Sequence, residues 1–280
     1  MQKLEDFSVL MSIYIKEKPE YLDACLDSLV KQTLCAREWV IVNDGPITNE
    51  LQEVVEKYKT MPNVNIKEVK LPKNLGLGLA LAEGIQHCSY EIVARMDTDD
   101  IAVSDRFEKQ LNFLKSNNLD ICGSHIKEFE QDPAHTIAVR KVPLTHAEIL
   151  EYQKNRSAFN HMTIMYKKSS VISAGNYKDC PLMEDDMLWV EMIQSGAKCG
   201  NIDDYLVYAR TNSSMIERRG GLAYYKKYKT GRKRIYKTGY ISWWDYTKTC
   251  MIQFVVCMMP AKLRRFVFFK LLHKENEATT

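Results

Sequence analysis

Short apolar runs alternate with stretches of helical period through the first hundred residues, and no other feature narrows the fold of this chain as much. The runs lie at residues 7–15, 39–42, 64–69 and 91–94. After the first, Pro19 takes the first-turn position that suits its fixed φ, and Tyr21, Leu22, Cys25, Leu26 and Leu29 recur on one face of the helix it opens. Helices are expected again over 51–58 and 77–87. Repeated strand, helix and strand make an α/β fold with a mostly parallel central sheet flanked by helices.

Two of these strands run into acids. The second ends at Asn43-Asp44-Gly45-Pro46 and the fourth at Arg95-Met96-Asp97-Thr98-Asp99-Asp100. Ionised carboxylates are costly to bury without partners, so the latter cluster suits a cation better than a core. Ligands of open α/β sheets bind beyond the carboxyl ends of the strands, where Asp44, Asp97 and Asp99 all fall. The loop holding Asn74, Gly76 and Gly78 leads into a helix and lets backbone approach a phosphate closely. A second acidic knot, Glu184-Asp185-Asp186, precedes a helical stretch.

Beyond residue 117 short strands are expected at 121–123, 162–166 and 206–209, with a short helix over 145–152. Charge changes sign near Arg218-Arg219-Gly220-Gly221, which divides a domain over 1–220 from an extension over 221–280. The extension holds 13 Lys/Arg against 3 Asp/Glu, a net of +10; with +3 overall, the first 220 residues carry −7. Interleaved with Tyr224, Tyr225, Tyr228, Tyr236, Tyr240, Trp243 and Trp244, this charge suits an anionic membrane surface or nucleic acid, or is a solvated face. An amphipathic helix over 243–272 fits a membrane interface, the other reading being a packed helix pair. No run reaches the roughly 18 apolar residues of a spanning helix. Eight cysteines without metal-ligand spacing read as small buried hydrophobes in a reducing compartment, and the first residues lack a signal-peptide layout. Cytoplasmic residence is expected, with the extension touching the inner face of the membrane.

Taken in order, Val9-Leu10-Met11-Ser12-Ile13-Tyr14, the segment from Glu38 to Pro46, the Asn74-Leu75-Gly76-Leu77-Gly78 loop, Arg95 to Asp100 and Glu184-Asp185-Asp186-Met187-Leu188-Trp189 resemble the family 2 glycosyltransferases. These are inverting enzymes of GT-A, Rossmann-like fold that build bacterial capsule, exopolysaccharide and lipopolysaccharide. The resemblance spans about residues 7 to 220, and its weight lies in the order and spacing of the pieces.

The resemblance implies a role for each piece. Ser12 and Tyr14 would line the nucleoside pocket, with Asn74 and Gly76 beside the nucleotide. Asp44 would accept from the base, uracil N3–H being the simplest donor, or is a turn-former. Arg95 would neutralise the diphosphate or hold Asp97; Asp97 would contact ribose or the metal's water shell, and Asp99 would ligate the metal. Oxygen ligands select Mn2+ or Mg2+. Asp185 would be the base that inversion requires, with Glu184 orienting it or the acceptor. Asn160, His161, Asp186 and Trp189 would flank donor sugar and acceptor, His161 being as well suited to a structural role, and Arg210, Arg218 and Arg219 would close over the phosphates. Relatives often place a metal-ligating histidine late in the chain, where this sequence reads Tyr208-Ala209-Arg210-Thr211-Asn212.

The expected activity is transfer of a hexose from a nucleotide sugar, most simply a UDP-sugar, to a hydroxyl of a lipid-linked or growing polysaccharide acceptor. No nucleic-acid partner is expected. A sugar nucleotidyltransferase is the rival enzyme, although Ser12-Ile13-Tyr14-Ile15-Lys16 offers no glycine-rich loop after the first strand. The remaining rival is a non-catalytic nucleotide-sugar or nucleic-acid binding protein.

Overall fold

The computed structural model describes residues 6–180, 182–211 and 219–267. Strands β1 (Phe7–Ile13) and β2 (Glu38–Asn43) are buried almost end to end, as strands covered on both faces must be. They run parallel from Ser8 opposite Glu38 to Ile13 opposite Asn43. Strand β3 (Ile66–Lys70) flanks β2, and β4 (Ile92–Arg95) flanks β1 with Leu10 opposite Arg95, again parallel. The carboxyl ends of β1, β2 and β4 therefore share one rim. The first strand stops at Ile13, two residues sooner than its apolar run, and leaves Tyr14 and Ile15 exposed on that rim.

The second half of the sheet is mixed. Its strands are β5 (Ile101–Ala102), β6 (Ile121–Phe129), β7 (Thr136–Arg140), β8 (Met165–Lys167) and β9 (Cys199–Arg210). Strand β8 lies antiparallel to both β4 and β6, β9 is parallel to β6, and β5 and β7 pair antiparallel with β9 and β6. The short connection through Asp132 and Pro133 dictates the β6–β7 arrangement, because a parallel pair needs a long crossover. The strand expected over 162–166 is divided into a 3-10 turn, His161–Thr163, and β8.

Alternate residues of β1 face opposite layers. Val9, Met11 and Ile13 pack with α1 (Pro19–Val30), α2 (Asn49–Lys59) and, past α3 (Leu77–His87), α4 (Arg106–Ser116). Leu10, with Val40 and Val42 of β2, packs with α3, α5 (His146–Gln153), α6 (Lys168–Ser173) and α7 (Glu184–Gln194). Period-two alternation thus divides a single strand between two apolar layers. Seven cysteines are buried, whereas Cys35 is exposed.

Helix α8 (Gly221–Lys237) and α9 (Trp243–Met258) form an antiparallel pair, with Tyr225 against Phe254 and Tyr236 stacked on Tyr246. Ile235 and Ile241 join Cys180, Met183, Met187 and Val190 in a separate apolar cluster that seats the pair on α7. The single helix expected over 243–272 is interrupted: Met259 is extended, the conformation favoured before proline, and α10 (Ala261–Val267) follows Pro260. Residues 268–272 of that expectation lie outside the described residues.

Beneath the end of β4, the fully buried Arg106 donates to the Arg95 carbonyl at 2.6 Å, to Gln110 Oε1 at 2.8 Å and to Met96 Sδ at 2.9 Å. Burial pulls its pKa down to about 9, which still leaves it charged at neutral pH. Arg106→Met should lower stability by about 2–4 kcal/mol, since buried acceptors lose a charged donor. Urea melts would show a lower midpoint at unchanged slope; a midpoint equal to the parent's would deny Arg106 this role.

Candidate active site

The rim carries the chemistry. Asp44, one residue past β2, accepts from the backbone N–H of Leu75 at 2.6 Å and of Gly76 at 3.0 Å, while Asn74 Nδ2 donates to its carbonyl at 3.2 Å. It clamps the loop that starts α3. Gly45 must be glycine there: its φ is +86°, and a Cβ would stand 2.7 Å from the Asn74 nitrogen. Gly76, at φ +88°, precedes a helix start with no side-chain cap, so the first N–H groups of α3 are left for a ligand or water.

Past β4, Asp97, Asp99 and Asp100 bring one carboxylate oxygen each within 4.8 Å of one another. Arg95, fully buried, is ion-paired with Asp97, and its Nε has no hydrogen-bond partner. Burial, then Asp97 and Glu17, push Asp99 up to about 7. Asp100 is raised well above the carboxylate range by burial and by Asp99 and Asp97; one of its oxygens accepts from Arg210 N at 2.7 Å and the other has no partner. Such a knot of oxygen donors, short of positive charge, fits a hard divalent cation. Glu17, which the sequence reading passed over, accepts from Thr98 Oγ1 at 2.7 Å and faces this knot. Its signal was available: it lies just past β1, as Asp44 lies past β2.

Glu184 and Asp185 open α7, and Glu184 lies within electrostatic reach of Arg95. Gly78 lets α3 pack on Glu184, since a Cβ there would meet Glu184 Cβ and the Lys178 carbonyl, both at 2.8 Å. Burial raises the Glu184 pKa, Arg95 opposes the rise, and Asp186 and Asp97 add to it, so the two acidic groups feel each other. Asp185 is pushed up to about 8 by burial and then by Asp186 and Glu184. Asp186 is braced instead, accepting at 2.8 Å from Gln153, which in turn accepts from Ala158 N at 2.8 Å and so ties α7 to the loop before Asn160.

Asn160 donates to the Ser124 carbonyl at 2.8 Å and keeps a buried, unpartnered Oδ1. His161 Nε2 lies 3.1 Å from the Tyr177 hydroxyl, and burial together with Arg95 holds its pKa well below the usual imidazole range. Tyr177 has no sequence signal; only the fold brings it beside Arg95 and Asp185. Two expected residues play other parts here. Trp189 is fully buried among Phe159, His161, Tyr166 and Tyr177, so it packs in the core rather than offering a ring to a sugar. The Arg210 guanidinium is engaged by the carbonyls of Asp99 and Glu130 and stacked 3.9 Å from the Tyr21 ring centre and 4.5 Å from that of Phe129, which braces the acidic turn. Ser12 and Tyr14 remain on the rim, with the Ser12 carbonyl 3.5 Å from Thr98 Oγ1. Arg219 begins the turn into α8, its carbonyl 3.7 Å from Cys257 Sγ, and Arg218 lies outside the described residues.

Residues 8–179 match the family model described as glycosyl transferase family 2. The chain belongs to that family. An uncharacterised glycosyltransferase of Haemophilus influenzae is 42% identical over 269 residues, covering 96% of this chain and 99% of its own. A UDP-Gal:alpha-D-GlcNAc-diphosphoundecaprenol beta-1,3-galactosyltransferase of Escherichia coli is 36% identical over 269 residues, covering 96% and 97%. Among solved structures, the mannosyltransferase PcManGT from Pyrobaculum calidifontis in complex with GDP-Man and Mn2+ superposes with a TM-score of 0.63 over 96% of this chain and 82% of its own, at 13% identity. This family 2 glycosyltransferase therefore has the GT-A fold its motifs led us to expect, and the nucleotidyltransferase and non-enzymatic readings fall away.

Two outcomes follow from this geometry. Gly78→Ala should displace Glu184, because the Lys178 backbone opposite cannot yield; turnover should fall about tenfold or more while nucleotide affinity stays near normal. Unchanged turnover would mean that α7 accommodates the methyl group. Because Asp99 and Asp185 have pKa values raised above the unfolded range, their contribution to stability is complete below about pH 4 and is lost as pH rises through 7 to 8. In EDTA at pH 8, Asp99→Asn and Asp185→Asn should therefore melt a few degrees above the parent, the gap closing as pH falls toward about 4. Variants that melt below the parent at pH 8 would contradict the assigned shifts.

Proposed function

We propose that this family 2 glycosyltransferase moves a hexosyl group, with inversion, from a UDP-sugar to a hydroxyl of a lipid-carried saccharide during assembly of a cell-surface polysaccharide. Residues 1–220 carry the reaction and 221–280 form the extension. The observation that carries this reading is the gathering of Asp97, Asp99 and Asp100 in one knot beside the buried Arg95, with Arg95 and Asp97 also acting on Glu184 at the start of α7. The E. coli relative supports the donor and the acceptor class by its name.

In this reading Ser12 and Tyr14 line the nucleoside, Asp44 sets the loop of Asn74 and Gly76 against it, and Asp97 and Asp99, with Asp100 behind them, hold Mn2+ or Mg2+. Bound there, the cation offsets the negative charge that grows on the departing diphosphate. Arg95 fixes Asp97 and adds positive charge at the centre of the cleft. Asp185, deprotonated, takes the proton of the acceptor hydroxyl as that oxygen bonds to the anomeric carbon and the bond from carbon to diphosphate oxygen breaks. Glu184 keeps Asp185 basic: a neighbouring carboxylate favours proton uptake, and a base with a pKa near the working pH is an effective one. His161, neutral beside Tyr177, positions the loop of Asn160 without adding charge.

The test uses UDP-hexoses with a short-chain lipid diphosphate carrying a sugar as acceptor. The parent should transfer in Mn2+ and stop in EDTA, and Asp99→Ala should lose the metal-dependent part of UDP affinity. Asp185→Asn should bind UDP normally and lose about a thousandfold in turnover. UDP affinity indifferent to both EDTA and Asp99→Ala would remove the carboxylates from the donor site, and turnover that survives Asp185→Asn would move the base elsewhere.

A further inference from the structure

Helix α9 is apolar on both sides. Its inner side, with Thr249, Cys250 and Cys257 buried, packs on α8, where Arg232 Nε donates to Thr249 Oγ1 at 3.2 Å. Its outer side carries Trp244, Met251, Ile252, Val255 and Met258, which recur at helical spacing and face solvent; Trp244 is 74% exposed, Met251 60% and Val255 55%. A surface helix ordinarily turns polar residues outward, and a contiguous outward apolar stripe marks an interaction surface. The C-terminal helices are also strongly basic. Lys248 lies within the stripe, and Lys226, Lys227, Lys229, Lys233 and Lys237 are exposed along the partner helix. Asp245 is the sole acid between residues 219 and 267, and its carboxylate is occupied in capping α9, accepting from Ser242 N at 2.9 Å and Ser242 Oγ at 2.7 Å.

We infer that the outer face of α9 docks on an anionic lipid bilayer, the apolar stripe entering the interfacial region, Lys248 meeting lipid headgroups and the exposed lysines of α8 adding to the positive potential. Among the described residues no helix is long and apolar enough to cross a membrane, so the contact is one of lying on the surface. Tryptophans at the start of α9 suit the headgroup level, where an amphipathic ring is best placed. A second copy of this chain is a poor occupant, because pairing the stripe with itself would bring the Lys248 charge of each copy into the apolar contact. A nucleic acid would use the lysines and leave the stripe in water.

The location gives the contact a consequence. The pair is seated on α7 through Met183, Met187, Ile235 and Ile241, so the docking face and the helix that opens with Glu184 and Asp185 belong to one packed stack. Docking would hold the cleft at a fixed attitude to the membrane, where a lipid-carried acceptor presents its sugar. This orientation rests on the acceptor proposed above; the docking itself does not.

The experiment is co-sedimentation of the full chain, without donor or acceptor, with vesicles of phosphatidylcholine alone or containing phosphatidylglycerol. The parent should pellet with the anionic vesicles and release in high salt, whereas Met251→Asp/Val255→Asp should bind at least about tenfold more weakly while melting and transferring to a soluble acceptor as the parent does. Transfer to an acceptor embedded in vesicles should fall with vesicle binding. Docking is refuted if the parent ignores anionic vesicles, if the double variant pellets like the parent, or if the parent sediments as a dimer that the double variant dissociates. Failure of the transferase reading shows separately, as absent transfer to the soluble acceptor.

Discussion

The ion pair between Arg95 and Asp97 is the joint on which the cleft is built. A guanidinium with no access to water has to be compensated, and Asp97 supplies that compensation from two residues along the same strand end. The same cation tempers Glu184, which comes from a helix almost ninety residues further on, and Arg106 braces its backbone from below. One side chain thereby acts on acids from two distant segments of the chain.

The compensation is incomplete, and that is informative. Asp99, Asp100, Glu184 and Asp185 all hold their protons more tightly than free carboxylates do, because burial and mutual repulsion outweigh the positive charge nearby. A protein selected for stability alone would replace some of them with neutral residues. Retaining them fits a site whose missing charge arrives with its ligands, and it leaves both Asp99 and Asp185 with pKa values near neutrality.

Much of this was legible in the order of residues. Strands that end in Asp44 and Asp97 locate the rim, because a parallel sheet gathers its carboxyl ends on one side whatever the loops do. Glu184 and Asp185 were legible as a charged helix start. What escaped was whatever depends on how distant pieces meet. Trp189 is expected beside donor sugar and acceptor by its place near the acids, yet α7 is buried nearly all round from Met187 to Ile193 and takes Trp189 into the core. Arg210 looks like a phosphate ligand until the stacking of Tyr21 and Phe129 around it is seen. The later strands read as isolated short runs because their pairing, with β9 parallel to β6 and β5 at the margin, joins segments far apart in the chain. The C-terminal helix was misjudged at Pro260, where a local rule sufficed and the apolar pattern on either side obscured it.

A carboxyl-carbon NMR titration of the aspartates measures the electrostatic state of Asp99 and Asp185 directly. In the ligand-free protein, Asp185 should titrate near 8 and Asp99 near 7, and addition of Mg2+ with UDP should draw Asp99 down sharply. If both instead titrate with the ordinary surface carboxylates, near 4, and do not respond to the nucleotide and cation, the two acidic groups do not share a site.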